Sequence, residues 1–245
     1  MKLAQVFGSK LHIIHIYGAL KRADTIISVN KLLKRESDQR LEELIQSLDR
    51  PSGINLIYKS VKGTDIPSTV DRVAKQLDID LIVTGTQGEM SDPDIFLGSI
   101  TGALIKKTNI PTLLMPNNQI LPPINDVLLA IKSVEIDRPE VLEPLRFFLQ
   151  FFSAGLEIIN IQPEGGEPSD ALPSQTILDL GEPVRTVEAR DIYDGVERYL
   201  LDHPVDILCV LRRKRGFFEL LFKSDATKKS SFHSNIPMLV LQGDH

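Results

Sequence analysis

Gly85, Gly88, Gly98, Ser99 and Thr101 are the residues of this sequence whose types and spacing could do chemistry, and that chemistry is the holding of a phosphate. Glycines admit positive φ and let a backbone approach an anion closely, while a helix N-terminus offers unpaired N–H groups and a favourable dipole. The pattern reads G-x2-G-x9-G-S. It follows the apolar run Leu81 to Val83 and opens a helical pattern with Ile100, Ala103 and Leu104. Ser99 and Thr101 add hydroxyl donors, and a loop at the carboxyl end of a parallel strand is where open α/β sheets bind ligands. It is neither a Walker loop nor a G-x-G-x-x-G dinucleotide loop. A second reading stays equally open, in which Gly85 and Gly88 make turns and Ser99 caps the helix.

Other reactive residues do not assemble into a site. His12 and His15 fall on opposite faces of one strand, because side chains alternate with period two, so they cannot share a metal. The sequence has no G-x-S-x-G elbow, no H-E-x-x-H and a single cysteine, Cys209, inside the apolar run Ile207 to Leu211. No catalytic residue and no metal ligand is therefore assigned, and the protein is not expected to be an enzyme, although slow hydrolysis of a bound phosphoanhydride stays open. Glu89, Asp92 and Asp94 in the glycine loop read as solvated acids, with a bridging divalent cation as the alternative. Arg212, Arg213, Lys214 and Arg215 read as a solvated basic face or as an attractor of an anionic partner. The aromatic run Leu145 to Phe152 reads as helix packing or as a hydrophobic partner surface.

Composition limits the classes available to such a loop. The chain has 245 residues, with 28 Lys and Arg against 33 Asp and Glu, and this mild acidity argues against a protein that coats nucleic acid. One cysteine permits no internal disulfide and suits a reducing compartment. No apolar segment reaches the roughly 18 residues of a membrane span, and no signal peptide is apparent. A cytoplasmic protein with no membrane partner is the expectation.

The elements that must position the loop occur twice. Asp80 to Val83 and Asn109 to Leu114 recur 126 residues later as Asp206 to Cys209 and Asn235 to Val240, and Leu11 to Ile16 recurs 145 residues later as Leu156 to Ile161. Short β-rich runs alternate with helical patterns, which implies βαβ units and parallel sheets. Strands are expected near Lys10 to Tyr17, Ile54 to Val61, Leu81 to Thr84 and Thr112 to Met115 in the first copy. In the second they are expected near Val127 to Ile131, Leu156 to Ile161, Val184 to Glu188, Asp206 to Leu211 and Met238 to Leu241. The first copy carries a longer amphipathic helix, within Ala23 to Leu48, and the second a helix over Pro139 to Phe152. The first copy also starts partway along its first helix, without a counterpart of Val127 to Ile131. A truncation, a start assigned too late or an expression choice would each produce that. Compensation by a partner chain or a rearranged edge is expected. Pro122-Pro123 marks the linker, dividing the chain into residues 1–120 and 121–245.

With its flanking strands, this glycine pattern resembles the nucleotide-binding signature of the universal stress protein family, in its tandem, two-domain form. The resemblance covers nearly the whole chain and is most specific at Leu11 to Ile16 and Asp80 to Met115. It implies two tandem open-sheet, mostly parallel, Rossmann-like α/β domains of the adenine-nucleotide-alpha-hydrolase type, acting in stress response. It also implies ATP or a related adenine nucleotide, with Mg as its companion, in the first domain. The adenine part would meet the backbone of Ile16. Phosphates would meet Gly85, Gly88, Gly98, Ser99 and the backbone of Ile100, with Gln87 and Thr101 alongside. The chain departs from the family pattern in lacking the first strand that usually ends Pro-Thr-Asp, and in having Glu89 where a basic residue is common. In the second copy, Leu211, Lys214, Ser224 and Asp225 replace the glycines and serine, or with a one-residue gap Lys223-Ser224 replaces Gly98-Ser99, and Ala130-Ile131-Lys132 replaces Pro-Thr-Asp, so no nucleotide is expected there. Contact between the two domains and homo-oligomers, dimers among them, complete the expectation; a non-binding scaffold of the same fold is the alternative.

Overall fold

The computed structural model describes residues 1–18, 26–49, 52–86, 97–116, 121, 123–165, 171–190, 192–212 and 236–243. They form two compact units, Met1–Gln76 and Leu77–His245. The linker proline Pro123 and the repeat boundary near Leu121 lie inside the second unit; Pro122 is outside the described residues.

The first unit runs α1 (Lys2–Val6), β1 (Lys10–Tyr17), α2 (Ile26–Ser47), β2 (Asn55–Lys62) and α3 (Ile66–Gln76). β1 and β2 pair in parallel, Lys10 opposite Asn55 through Tyr17 opposite Lys62. The crossover between them is the long helix expected from the spacing of Ile27, Leu32, Leu41, Leu44, Ile45 and Leu48, although it ends at Ser47 and leaves Leu32 and Leu44 exposed. Its buried side carries Ser37, Leu41 and Ile45. Ser37 donates to Ser60 Oγ at 2.8 Å and stands 2.8 Å from His15 Nδ1, so this histidine belongs to a hydrogen-bonded core patch. α3 starts from an N-cap aspartate: Asp65 accepts the Ser68 N–H at 2.9 Å, satisfying one orphan donor of the first turn.

The second unit contains β3 (Ile82–Gly85), α4 (Ser99–Lys107), β4 (Thr112–Met115), β5 (Asp126–Ile131), a 3-10 turn (Pro139–Leu142), α5 (Glu143–Phe152), β6 (Gly155–Pro163), α6 (Gln175–Leu178), β7 (Val184–Ala189), α7 (Ile192–Asp202), β8 (Ile207–Arg212) and β9 (Met238–Gln242). Its seven-stranded sheet has the order β3-β4-β9-β8-β5-β6-β7. All neighbours are parallel except β4 and β9, which are antiparallel. β5, β8 and β9 are nearly continuous apolar runs because inner strands of a parallel sheet are covered on both faces. The Cys209 thiol is buried in β8, and burial pushes its pKa far up. The expected helix over Pro139 to Phe152 begins instead as a 3-10 turn, whose Pro139 cannot donate to the ladder.

The sequence repeat recurs in local hydrogen bonds. The Ser9 N–H donates to the Ala4 carbonyl at 2.9 Å, and 145 residues on the Ala154 N–H donates to Leu149 at 3.0 Å. The residues just before, Gly8 and Ser153, both adopt left-handed backbone, with φ of 61° and 53°. Ile82 N–H to Pro111 O and Leu208 N–H to Pro237 O are both 3.0 Å, 126 residues apart. The strands of the first copy nevertheless lie in two separate sheets. β6 and β8 are both neighbours of β5, whereas among the described residues their counterparts β1 and β3 share no strand.

Candidate functional site

β3 ends at Gly85, and α4 starts at Ser99 with Gly98 as its N-cap. The two ends are tied together by two hydrogen bonds, and a third ties the strand end to β4. Thr101 Oγ1 donates to the Gly85 carbonyl at 3.0 Å, the Gly98 N–H donates to Thr86 O at 2.8 Å, and the Thr86 N–H donates to Met115 O at 3.0 Å. Thr101 and Thr86 are buried, whereas Gly85, Ser99 and Ile100 are exposed. Thr101 thus spends its hydroxyl proton on the strand end and acts as a strut, leaving Ser99 as the exposed hydroxyl of the first turn. Thr86 was missed by sequence reasoning; its only signal there is a polar residue placed where the strand stops.

Gly98 has φ −62° and ψ 152°, an extended conformation open to any residue. Positive φ is therefore not what glycine supplies at this position. What it supplies is a cap with no side chain, so the cap residue itself gives the first-turn N–H groups no side-chain acceptor, and no acidic residue lies in that turn. Lys106 and Lys107 occupy the last turn, in keeping with the helix dipole. The arrangement presents the N-terminus of a nine-residue helix, bare at its cap, beside the carboxyl end of a parallel strand, and its donor set suits an anion.

The structure brings Gly85, Gly98, Ser99, Ile100 and Thr101 together in the second unit. Ile16, at the carboxyl end of β1, belongs to the first unit. Gln87, Gly88, Glu89, Asp92 and Asp94 lie outside the described residues, as do Arg213, Lys214, Arg215, Lys223, Ser224 and Asp225 of the second copy. The described member of the basic run, Arg212, is half-buried, and its Nη1 donates to the Ile105 carbonyl of α4 at 2.7 Å. Burial lowers its pKa. Among the described residues no group of three or more His, Cys, Asp or Glu could hold a metal ion, and no helix is long and apolar enough to cross a membrane.

Comparison with known proteins gives one family and a shared fold. The sequence model of the universal stress protein family matches residues 1–116. A universal stress protein from Archaeoglobus fulgidus DSM 4304 superposes with a TM-score of 0.66 at 14% identity, over 96% of this chain and 86% of that one. A functionally unknown protein from Pseudomonas aeruginosa PAO1 gives 0.61 at 16% identity, over 99% and 85%. At such identities these likenesses establish the fold. No curated protein matches the sequence.

Proposed function

We propose, from the match of residues 1–116 to the universal stress protein family, that the protein binds ATP or a related adenine nucleotide through its first copy, acting in stress response as a ligand-dependent regulatory or interaction protein. The observation that carries this reading is the bare N-terminus of α4, with glycine at its cap and no acid in its first turn, tied to the end of β3 by the Thr101 strut. Backbone N–H groups of Ser99 and Ile100 and the Ser99 hydroxyl are the donors for phosphate, with Gly85, Gln87, Gly88 and Gly98 giving the backbone close access. The Ile16 backbone takes the adenine, by resemblance to the family. Mg would offset repulsion between the polyphosphate and Glu89, Asp92 and Asp94, since hard cations take oxygen ligands. The second copy, with Leu211 and Lys132 at the corresponding strand ends, is assigned no nucleotide.

Titration of the whole chain with ATP and Mg tests this by calorimetry. The expected result is saturable binding with a dissociation constant below about 1 mM, and its absence overturns the reading. A Gly98→Asp substitution sharpens the test. Aspartate is a favoured N-cap and the backbone conformation suits it, so folding survives; its carboxylate takes the first-turn donors and repels phosphate, so binding is lost.

A second reading, a scaffold without nucleotide, is favoured by the join of the copies: β4 and β9 pair as Thr112–Val240, Leu113–Leu239 and Leu114–Met238. On that reading Gly98→Asp changes neither partner binding nor cellular phenotype. Neither reading involves chemistry on the nucleotide, and ATP turnover abolished by Gly98→Asp would count against both.

A further inference from the structure

The two ends of α4 are held by residues from the same position of the two copies. Thr86 and Arg212 are 126 residues apart, the offset at which Asp80 to Val83 recurs as Asp206 to Cys209; Thr86 follows β3 and Arg212 ends β8. At the amino end, the Thr86 carbonyl accepts the Gly98 N–H at 2.8 Å. At the carboxyl end, Arg212 Nη1 donates to the Ile105 carbonyl at 2.7 Å. The antiparallel join of β4 and β9 makes the second contact possible. β8 runs parallel to β9, so its carboxyl end lies beside the start of β4 and the end of the helix that leads into it. Gln242, opposite Arg212 in the ladder, reaches to 3.5 Å from the Ile110 carbonyl in the same region. Ile105 is fully buried and Arg212 half-buried, so this bond is less screened than the charges of the exposed Lys106 and Lys107 in the same turn.

We infer that Arg212 of the second copy is a positioning residue for the phosphate site of the first, its clamp on the carboxyl end of α4 raising anion affinity at the amino end. For its ligand this rests on the nucleotide reading; for its mechanism it rests on the clamp. α4 has nine residues, about 13 Å of helix, a length that holds together through tertiary contacts rather than by itself. Its last carbonyls are orphan acceptors. The Thr108 N–H takes that of Leu104 at 2.9 Å, and Arg212 takes that of Ile105. The guanidinium stays charged, and a cation at the negative end of the helix dipole complements an anion at the positive end. Clamp and anion both select the fully wound helix, so each lowers the ordering cost that the other meets, and the coupling is reciprocal. Threonine at this position, as in the first copy, has neither the reach nor the charge. The strand end that lost its glycines thus supplies a contact to the helix of the copy that kept them.

Arg212→Met, which keeps an apolar stem and removes charge and donors, and Arg212→Lys, which keeps the charge and a donor, are compared with the unaltered chain. Each is titrated with ATP and Mg by calorimetry where circular dichroism shows it folded, so that a loss of global stability does not enter the affinity. Arg212→Met is expected to weaken binding about threefold or more and Arg212→Lys by less, as removal of a charge from the far end of a short helix requires. Affinity unchanged in Arg212→Met, or reduced as much in Arg212→Lys, overturns the inference. The unaltered chain gives a second measure that needs no variant to fold. ATP should slow amide exchange at Thr108, at the carboxyl end of α4, as well as in its first turn; protection confined to the first turn overturns the coupling. An unaltered chain that binds no ATP overturns the nucleotide reading and this inference together, whereas binding at full strength by Arg212→Met overturns this inference alone.

Discussion

Thr101 shows how far a residue's role is set by a partner that sequence spacing does not name. The spacing G-x2-G-x9-G-S made Ser99 and Thr101 equal hydroxyl donors; the fold gives Thr101 to the Gly85 carbonyl 16 residues earlier and leaves Ser99 exposed. The glycine positions and the helix start were legible, because caps and loops are written locally, whereas the strut was not, because it depends on how α4 meets β3. Asp194 is a comparable case in the first turn of α7. It accepts from Arg190 Nη2 at 2.9 Å, from the Arg190 backbone N–H at 3.2 Å and from Arg198, and these bonds hold its carboxyl far below the usual carboxylate range. A depressed folded pKa stabilises the fold above the unfolded value, about 3.9, and that contribution fades as pH falls below it. Asp194→Asn is expected to cost about 1 kcal/mol at pH 7, the arginines being largely solvent-screened. Urea denaturation at several pH values should show wild type and variant converging between about pH 5 and pH 2; a constant difference would assign the cost to something other than charge.

At the scale of elements, the pairing of β4 with β9 places Leu113 opposite Leu239. These are the same position of the repeat, 126 residues apart, and Thr112–Val240 and Leu114–Met238 are exchanged about them. The two strand pairs β3–β4 and β8–β9 are thus related by a local two-fold through the two leucines, the self-complementary arrangement of an isologous interface built within one chain. Both leucines are fully buried. Leu113→Ala and Leu239→Ala are each expected to cost about 2–5 kcal/mol. As cross-strand partners they should not add: a double-mutant cycle by denaturant unfolding should give a coupling above about 0.5 kcal/mol, and strict additivity would mean the side chains do not meet. Strand positions were legible at this scale. β1 and β4 have both ends where alternation and flanking turns put them, and the long helix of the first copy, α2, is matched among the described residues by the short α6 in the second. What periodicity could not give is which strands become neighbours, because hydrophobic pattern reports how a strand is covered and not what lies beside it. The separation of β1–β2 from β3–β4 therefore had to come from the structure.

For the molecule as a whole, unequal burial predicts unequal stability. In β1 no residue is fully buried and in β2 only Ser60 is, so the first unit rests on a few contacts such as Leu41, Ile45, Val73 and Ala74. The second unit has the inner strands β5, β8 and β9, with Val127 to Ile131, Ile207 to Val210 and Met238 to Leu241 at 6% exposure or less. At about 25 cal/mol per Å² of apolar surface, and with small units burying a smaller fraction of their chain, the first unit has the lower resistance to opening. Native-state hydrogen exchange should then place the amides of β1 and β2 in a cooperative group that opens at lower free energy than β5 and β8, with denaturant unfolding in two steps. Exchange of all four strands at one common free energy, and a single transition whose slope corresponds to the surface of the entire chain, would mean that the two units unfold as one. The two-step outcome means that β1, which carries Ile16 at its carboxyl end, opens while α4 and its N-terminus stay folded.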